Sequence, residues 1–315
     1  MKAVLQYRAS PGFRDRLVQM ASAADIEAVV VDETDDAGFA REIAEAEVLL
    51  HVLKPVTATM IAAAPRLRLI QKIGVGVNTI DLEAAKLRSV AVANMPGTNS
   101  QAVAEITLAL ILATLRRLNY FDLLIRRGQG WTPDLAVIDT VGEICGKIVG
   151  FVGFGAVPSR LAPALKALGA RVIYAEREPR KTEVAEHREL GELLQTADIV
   201  SLHAPLTENT RQLINAEALA QMKPGAILIN TARGELIDQV ALVDALKGGR
   251  LRGAGLDVFD REPVDPSDPL LALANVVVTP HVAWLTQETL ERSLGVAIEN
   301  CQRIRRDEPL LHRLT

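Results

Sequence analysis

Three residues in the second half of the chain carry the groups needed to move a proton beside a bound anion: Arg233, Glu262 and His281. Arg233 stands in Asn230-Thr231-Ala232-Arg233-Gly234, directly after the apolar run Ala226-Ile227-Leu228-Ile229. A guanidinium at the end of a buried strand offers a planar fork that matches a carboxylate. Glu262 precedes Pro263 in a segment opened by Gly255-Leu256-Asp257-Val258-Phe259, and His281 closes Val276-Val277-Val278-Thr279-Pro280. An imidazole paired with a carboxylate holds a proton more firmly near neutral pH, which suits protonating and deprotonating an alcohol oxygen. Each residue alone is structural as readily as functional, so their meaning rests on the elements that position them.

The most informative of those elements is Lys147-Ile148-Val149-Gly150-Phe151-Val152-Gly153-Phe154-Gly155-Ala156-Val157-Pro158, an apolar strand that runs into a glycine turn and a helix. Gly153 permits the tight turn, and Gly155 lets a pyrophosphate approach the backbone at the helix N-terminus. Pro158 stands where the dinucleotide fingerprint has its third glycine. Proline is tolerated in a first helical turn because its missing N–H has no intrahelical partner there, so the helix forms while its close approach to the strand is put in question. A second strand, Arg171-Val172-Ile173-Tyr174, leads to Glu176, 21 residues after Gly155, the spacing of a carboxylate that accepts from a ribose hydroxyl. Glu176 repels a 2′-phosphate, whereas Arg177, Arg180 and Lys181 attract one. The expectation is NAD, with NADP left open.

Several segments in a fixed order resemble the NAD(P)-dependent D-isomer-specific 2-hydroxyacid dehydrogenases over nearly the whole chain. They are Gly74-Val75-Gly76-Val77-Asn78-Thr79-Ile80-Asp81, Ala102-Val103-Ala104-Glu105, the glycine turn, Asn230-Thr231-Ala232-Arg233-Gly234, Gly255-Leu256-Asp257-Val258-Phe259 with Glu262-Pro263, and Thr279-Pro280-His281. The resemblance implies hydride transfer between nicotinamide and C2 of a small 2-keto or D-2-hydroxy acid such as glyoxylate or hydroxypyruvate. It implies that His281 exchanges the proton, Glu262 orients and charges the imidazole, and Arg233 clamps the carboxylate with the N–H groups of Val75 and Gly76. Asp257 is expected at the nicotinamide carboxamide, and Ala156, Val157, Thr231 and Ala232 along the cofactor. His51, with Lys54 near it, matches a position facing the substrate tail, and Trp284 is placed to narrow the pocket. Two other readings share the motifs: a dinucleotide-sensing binding protein, whose relatives carry extra tails, and 3-phosphoglycerate dehydrogenase, many of which carry a further regulatory domain. An oxidoreductase of the same fold acting on a non-carbon substrate such as phosphite is a third.

Composition narrows the classes. A net charge of −4 offers no basic field to nucleic acid, and 3% aromatic residues leave few stacking platforms. Cys145 and Cys301 stand far apart without metal-ligand spacing, which argues against a zinc site or a disulfide framework and for a reducing, cytoplasmic setting. The N-terminal apolar stretch is short for a signal peptide and reads as a strand, and the run 106–115 falls well short of the ~20 residues that span a bilayer. No metal and no membrane or nucleic-acid partner is expected.

Short apolar strands alternate with helices throughout, the pattern of parallel sheets covered on both faces. Strands are predicted at 3–5, 28–31, 48–51, 69–72 and 90–93, then from 147 and at 172–174, 199–202, 227–230, 254–256 and 276–279. The fold class is α/β: two doubly wound parallel-sheet domains, a Rossmann-type nucleotide domain over 99–285 inserted in a flavodoxin-like substrate domain over 1–98 and 286–315. The site is expected in the cleft of such a pair. A helix is predicted from 100 to about 127, and another over about 287–305 returns to the first domain. Because 102–115 is apolar almost all round, a two-fold homodimer built around that helix is expected, and a charge at Leu110 is expected to leave the chain aggregated or unfolded.

Overall fold

The computed structural model describes all 315 residues, which divide into two compact units: Met1–Asn99 with Leu285–Thr315, and Ser100–Trp284. In the first unit β1 (Lys2–Gln6), β2 (Glu27–Val31), β3 (Val48–His51), β4 (Leu69–Lys72) and β5 (Ala91–Ala93) form a wholly parallel sheet in the order β2-β1-β3-β4-β5. The order reverses between β1 and β3, the switch point of a flavodoxin-like sheet. The helix Gln287–Arg305 belongs to this unit. It is anchored by Asn300, fully buried, whose Nδ2 donates to Gln71 Oε1 at 2.6 Å and to Leu311 O at 3.0 Å.

In the second unit β6 (Ile148–Val152), β7 (Arg171–Ala175), β8 (Glu186–His187), β9 (Ile199–Leu202), β10 (Ala226–Asn230), β11 (Leu251–Leu256) and β12 (Val276–Val278) form a second parallel sheet, ordered β12-β11-β10-β9-β6-β7-β8. This is the Rossmann order with one strand added at the far edge, and it reverses between β6 and β9. Every residue of β10 is buried, as a strand covered on both faces requires. The predicted strands are all present; only the two-residue β8 had no counterpart.

The long helix differs from its prediction. It runs Ser100–Arg116, breaks at Arg117, whose φ is +54°, and resumes as Leu118–Arg126. Its own unit covers most of it: Leu110, Ile111 and Leu115 lie in one core cluster with Phe151, Leu161 and Ile229. The outward stripe is Gln101, Glu105, Ala109, Leu112 and Arg116, at helical spacing. Leu110 is therefore a core residue of its own unit, 2% exposed. Apart from Leu112, the exposed large apolar side chains of this stretch belong to the next segment, where the helices Leu118–Arg126 and Leu135–Ile138 bury no residue at all.

Candidate active site

The polar residues gather at the carboxyl ends of β10, β11 and β12, where parallel strands release their loops. After β10 the chain is held by Asn230, fully buried, whose Nδ2 donates to Arg233 O at 2.8 Å while its Oδ1 accepts from Ala232 N at 3.0 Å. Thr231 Oγ1 lies 2.9 Å from Thr107 Oγ1, tying the loop to the helix Ser100–Arg116. Gly234 completes the turn against the next loop: a Cβ there would stand 1.9 Å from Phe259 C and 2.0 Å from Phe259 O. Arg233 is thus carried on a segment braced at three points. Burial presses its guanidinium below the ordinary arginine range, against the fields of Glu235 and Glu262, and it remains a cation at any working pH.

After β11, Asp257 is fully buried, and its carboxylate gathers the loop that bears the histidine. Oδ1 accepts from Thr279 Oγ1 at 2.6 Å and from Val282 N at 2.9 Å; Oδ2 accepts from Ala283 N at 2.9 Å. Burial pushes this carboxyl above its usual range, although the Thr279 hydroxyl, both N–H groups and the His281 charge favour the anion. His281 takes a left-handed backbone, φ +53°, and its N–H donates to Asp257 O at 2.7 Å. The side chain emerges with Nδ1 2.6 Å from Glu262 Oε2, and Glu262 Oε1 accepts from Phe259 N at 3.0 Å. Because Glu262 is an acceptor, Nδ1 carries a proton and Nε2 is the atom left to exchange one. Burial raises the Glu262 carboxyl, but the bond and charge of His281, the Phe259 N–H and the Arg233 field outweigh it and hold the group below the usual carboxylate range. Arg233, Glu262 and His281 thus lie in one electrostatic neighbourhood. Trp284 Nε1 donates to His281 O at 3.2 Å, so this indole braces the histidine's backbone.

The glycine turn fits a dinucleotide. Gly153 has φ +88°, and a Cβ there would meet Ala204 N and His203 C at 2.9 Å each, so it must be glycine for the chain's own sake. Gly155 is different: a Cβ there would meet nothing within 4 Å. It caps the helix Ala156–Ala167 without a side-chain hydrogen bond, so the N–H groups of a 12-residue helix open onto that space beside Ala156 and Val157. Pro158, buried at the third helical position, does not prevent the helix, which packs Leu161, Ala162 and Leu165 into the same core as Phe151. Glu176 follows β7, but its carboxylate is gripped by Arg180 through two bonds of 2.7 and 2.9 Å, while Arg177 is exposed.

In the first unit, His51 ends β3 and is 4% exposed. Its Nε2 lies 2.8 Å from Lys54 O, a carbonyl, so Nε2 carries the proton. Burial, then the Lys72 charge, lowers its pKa to about 3. The imidazole is neutral, which removes it as a cationic contact for an anionic tail. Val75 is exposed on the turn after β4, and the N–H groups of Val75 and Gly76 donate to nothing in the chain.

In the sequence Asn230, Gly234 and Thr279 are motif members without an evident task, and Asp257 is expected at the cofactor alone. Thr107 belongs to none of the motifs. Their roles depend on partners up to 124 positions away, for which spacing carries no signal.

Comparison with known proteins gives the family. Residues 108–283 match the family described as D-isomer specific 2-hydroxyacid dehydrogenase, NAD binding domain. A glyoxylate reductase of Aeropyrum pernix is 42% identical over 268 residues, covering 81% of this chain and 79% of the relative. A D-3-phosphoglycerate dehydrogenase of Mycobacterium leprae is 39% identical over 287 residues, covering 89% of this chain but 53% of the relative. A crystal structure of a Thermus thermophilus protein superposes with a TM-score of 0.90 at 37% identity, with both chains covered in full. With the motifs, the two sheets and these relatives in agreement, the chain belongs to the D-isomer-specific 2-hydroxyacid dehydrogenases, NAD-linked oxidoreductases that act on CH–OH groups.

Proposed function

We propose that this chain reduces small 2-keto acids, glyoxylate or hydroxypyruvate among them, to D-2-hydroxy acids and also runs the reverse oxidation. The observation that carries the reading is the 2.6 Å contact of His281 Nδ1 with Glu262, which leaves Nε2 to exchange a proton in the field of Arg233. Bound NAD supplies the hydride donor and acceptor. Gly153, Gly155, Ala156 and Val157 hold the pyrophosphate, with Thr231, Ala232, Asp257, Glu176 and Arg177 along the remainder. Glu262 fixes the imidazole and balances its charge. His281 Nε2 gives its proton to the carbonyl oxygen as that oxygen becomes an alcohol, and takes it back in oxidation. Arg233 grips the substrate carboxylate through its planar fork. Carboxylate capture is assigned also to the free N–H groups of Val75 and Gly76.

A small acid is favoured over a phosphorylated one because the match covers 79% of the glyoxylate reductase relative but only 53% of the D-3-phosphoglycerate dehydrogenase relative. His51 then serves the substrate tail as a polar wall. The exposed apolar segment after Arg117 supports a homodimer, and the two unpaired thiols support a cytoplasmic setting. No helix is long and apolar enough to cross a membrane. The test is NADH and NADPH oxidation followed at 340 nm against a panel of 2-keto acids. Turnover confined to phosphorylated acids, or absent with all of them, overturns the reading.

A further inference from the structure

His281 holds a backbone conformation that an L side chain resists, with φ at +53°. Such a conformation persists only while the surrounding structure fixes the peptide planes on either side of the residue. The plane before His281 is fixed through its N–H, which donates to Asp257 O at 2.7 Å and to Thr279 O at 3.1 Å. The plane after it is fixed at both ends: Val282 N donates to Asp257 Oδ1 at 2.9 Å, and His281 O accepts from Trp284 Nε1 at 3.2 Å. No backbone N–H donates to that carbonyl. A peptide held at its N–H alone can pivot about that bond, whereas one held at both ends cannot. The second hold comes from an indole, a group that donates one hydrogen bond and accepts none.

These two planes set the direction in which the imidazole leaves the backbone, and with it the 2.6 Å contact of Nδ1 with Glu262 Oε2. Glu262 is held from its own loop, where Oε1 accepts from Phe259 N at 3.0 Å. The acid therefore does not follow the ring if the peptide after His281 turns toward an ordinary negative φ. Trp284 is half-buried and ends the second unit, so its one polar atom is spent on the loop that carries the histidine. An indole that only narrowed the pocket would not need that bond.

We propose that Trp284 is a positioning residue: its N–H locks the left-handed backbone of His281 and so sets the rate of proton exchange rather than the size of the acid admitted. This rests on the proton exchange proposed above for His281 Nε2, and the test separates the two. Keto-acid reduction and NADH binding are measured for the full chain as wild type, Trp284→Phe, His281→Ala and the double variant. Trp284→Phe lowers kcat about tenfold or more while KM and the NADH Kd stay within about twofold, because substrate and cofactor grips are untouched. In the His281→Ala background the same substitution changes the residual rate less than about twofold, since the residue it acts through is gone. A purely structural role would instead lower both rates alike. Should Trp284→Phe fold poorly, an indole isostere with sulfur in place of the N–H is incorporated in a Trp131→Phe background, where position 284 is the one site that takes it; Trp131 is 92% exposed. The same fall in kcat is expected. Wild-type kcat with an altered preference between glyoxylate and larger keto acids, or an equal loss in both backgrounds, overturns the assignment of Trp284 alone. Near-normal turnover in His281→Ala overturns the proton-exchange reading and this inference with it.

Discussion

Gly234→Ala tests whether the Arg233 segment and the Glu262 segment are positioned by direct backbone contact. The added methyl would stand 1.9 Å from Phe259 C, 2.0 Å from Phe259 O and 2.3 Å from Asp260 N, all backbone atoms that no rotamer change can move. Non-bonded carbons rest at about 3.5–4.0 Å, so the two loops must part by about 1.5 Å. Arg233 is the residue before the substitution, and Glu262 follows Phe259 by three. A misplacement of about 1 Å at such a site costs on the order of 100-fold in rate, and kcat/KM for keto-acid reduction is expected to fall by that amount. Overpacking of this kind costs about 1–3 kcal/mol, read as a Tm lower by about 2–4 °C per kcal/mol for a unit of this size. NADH binding, followed by quenching of protein fluorescence, should change less than threefold because the glycine turn lies elsewhere. A variant with wild-type kcat/KM and Tm would refute the reasoning, since the clash would then be absorbed without moving either catalytic group.

Further outcomes follow from the same geometry. His281→Ala is expected to lower turnover by about 10²–10⁴-fold while NADH affinity holds within a few fold; near-normal turnover removes the residue from proton exchange. Arg233→Lys should raise KM for keto acids and lower kcat, since an ammonium lacks the planar fork, and an unchanged kcat/KM would place the carboxylate grip on another group. Gly155→Ala adds a Cβ that meets nothing within 4 Å in the chain, so Tm should hold while NADH binding weakens at least about tenfold; unchanged binding contradicts the assigned pyrophosphate site. Glu262 titrates below its ordinary range when folded, so its contribution to stability is complete above the ordinary carboxylate range and is lost as pH falls through the depressed value. Comparing wild type with Glu262→Gln by denaturant unfolding should show the two stabilities converging as pH falls below about 4.5; a gap that widens toward acid pH would reverse the sign.

The alternation of apolar runs with helical stretches was legible because parallel strands covered on both faces, such as Ala226–Asn230, read as continuous apolar segments. The break at Arg117 was not legible. It uses an arginine in a left-handed conformation, where neither glycine nor proline announces a stop. The apolar girth of the helix signals several covered faces without saying which of them its own unit covers. At the site, His281, Glu262 and Arg233 were legible from their setting at strand ends. The hold of Asp257 on Thr279, Val282 and Ala283 was not, because it joins residues 22 to 26 positions apart through a loop whose path no local rule fixes. Likewise the need for glycine at 234 comes from a second loop rather than from its own dihedral angles.

The first unit is assembled from both flanks of the second, and this sets an order of events at the ribosome. Gln71 finds Asn300, and Val92 O accepts from Leu314 N at 2.7 Å, only after Ser100–Trp284 has been made. At about 5–20 residues per second that interval lasts roughly 10–40 s. Throughout it, the strands synthesised first wait without the helix Gln287–Arg305, while the inserted unit already has all of its own sequence as Trp284 emerges. The earliest-made domain is therefore the last to be completed, and nascent chains are exposed to aggregation and chaperone capture through β4 and β5 rather than through the nucleotide-binding sheet.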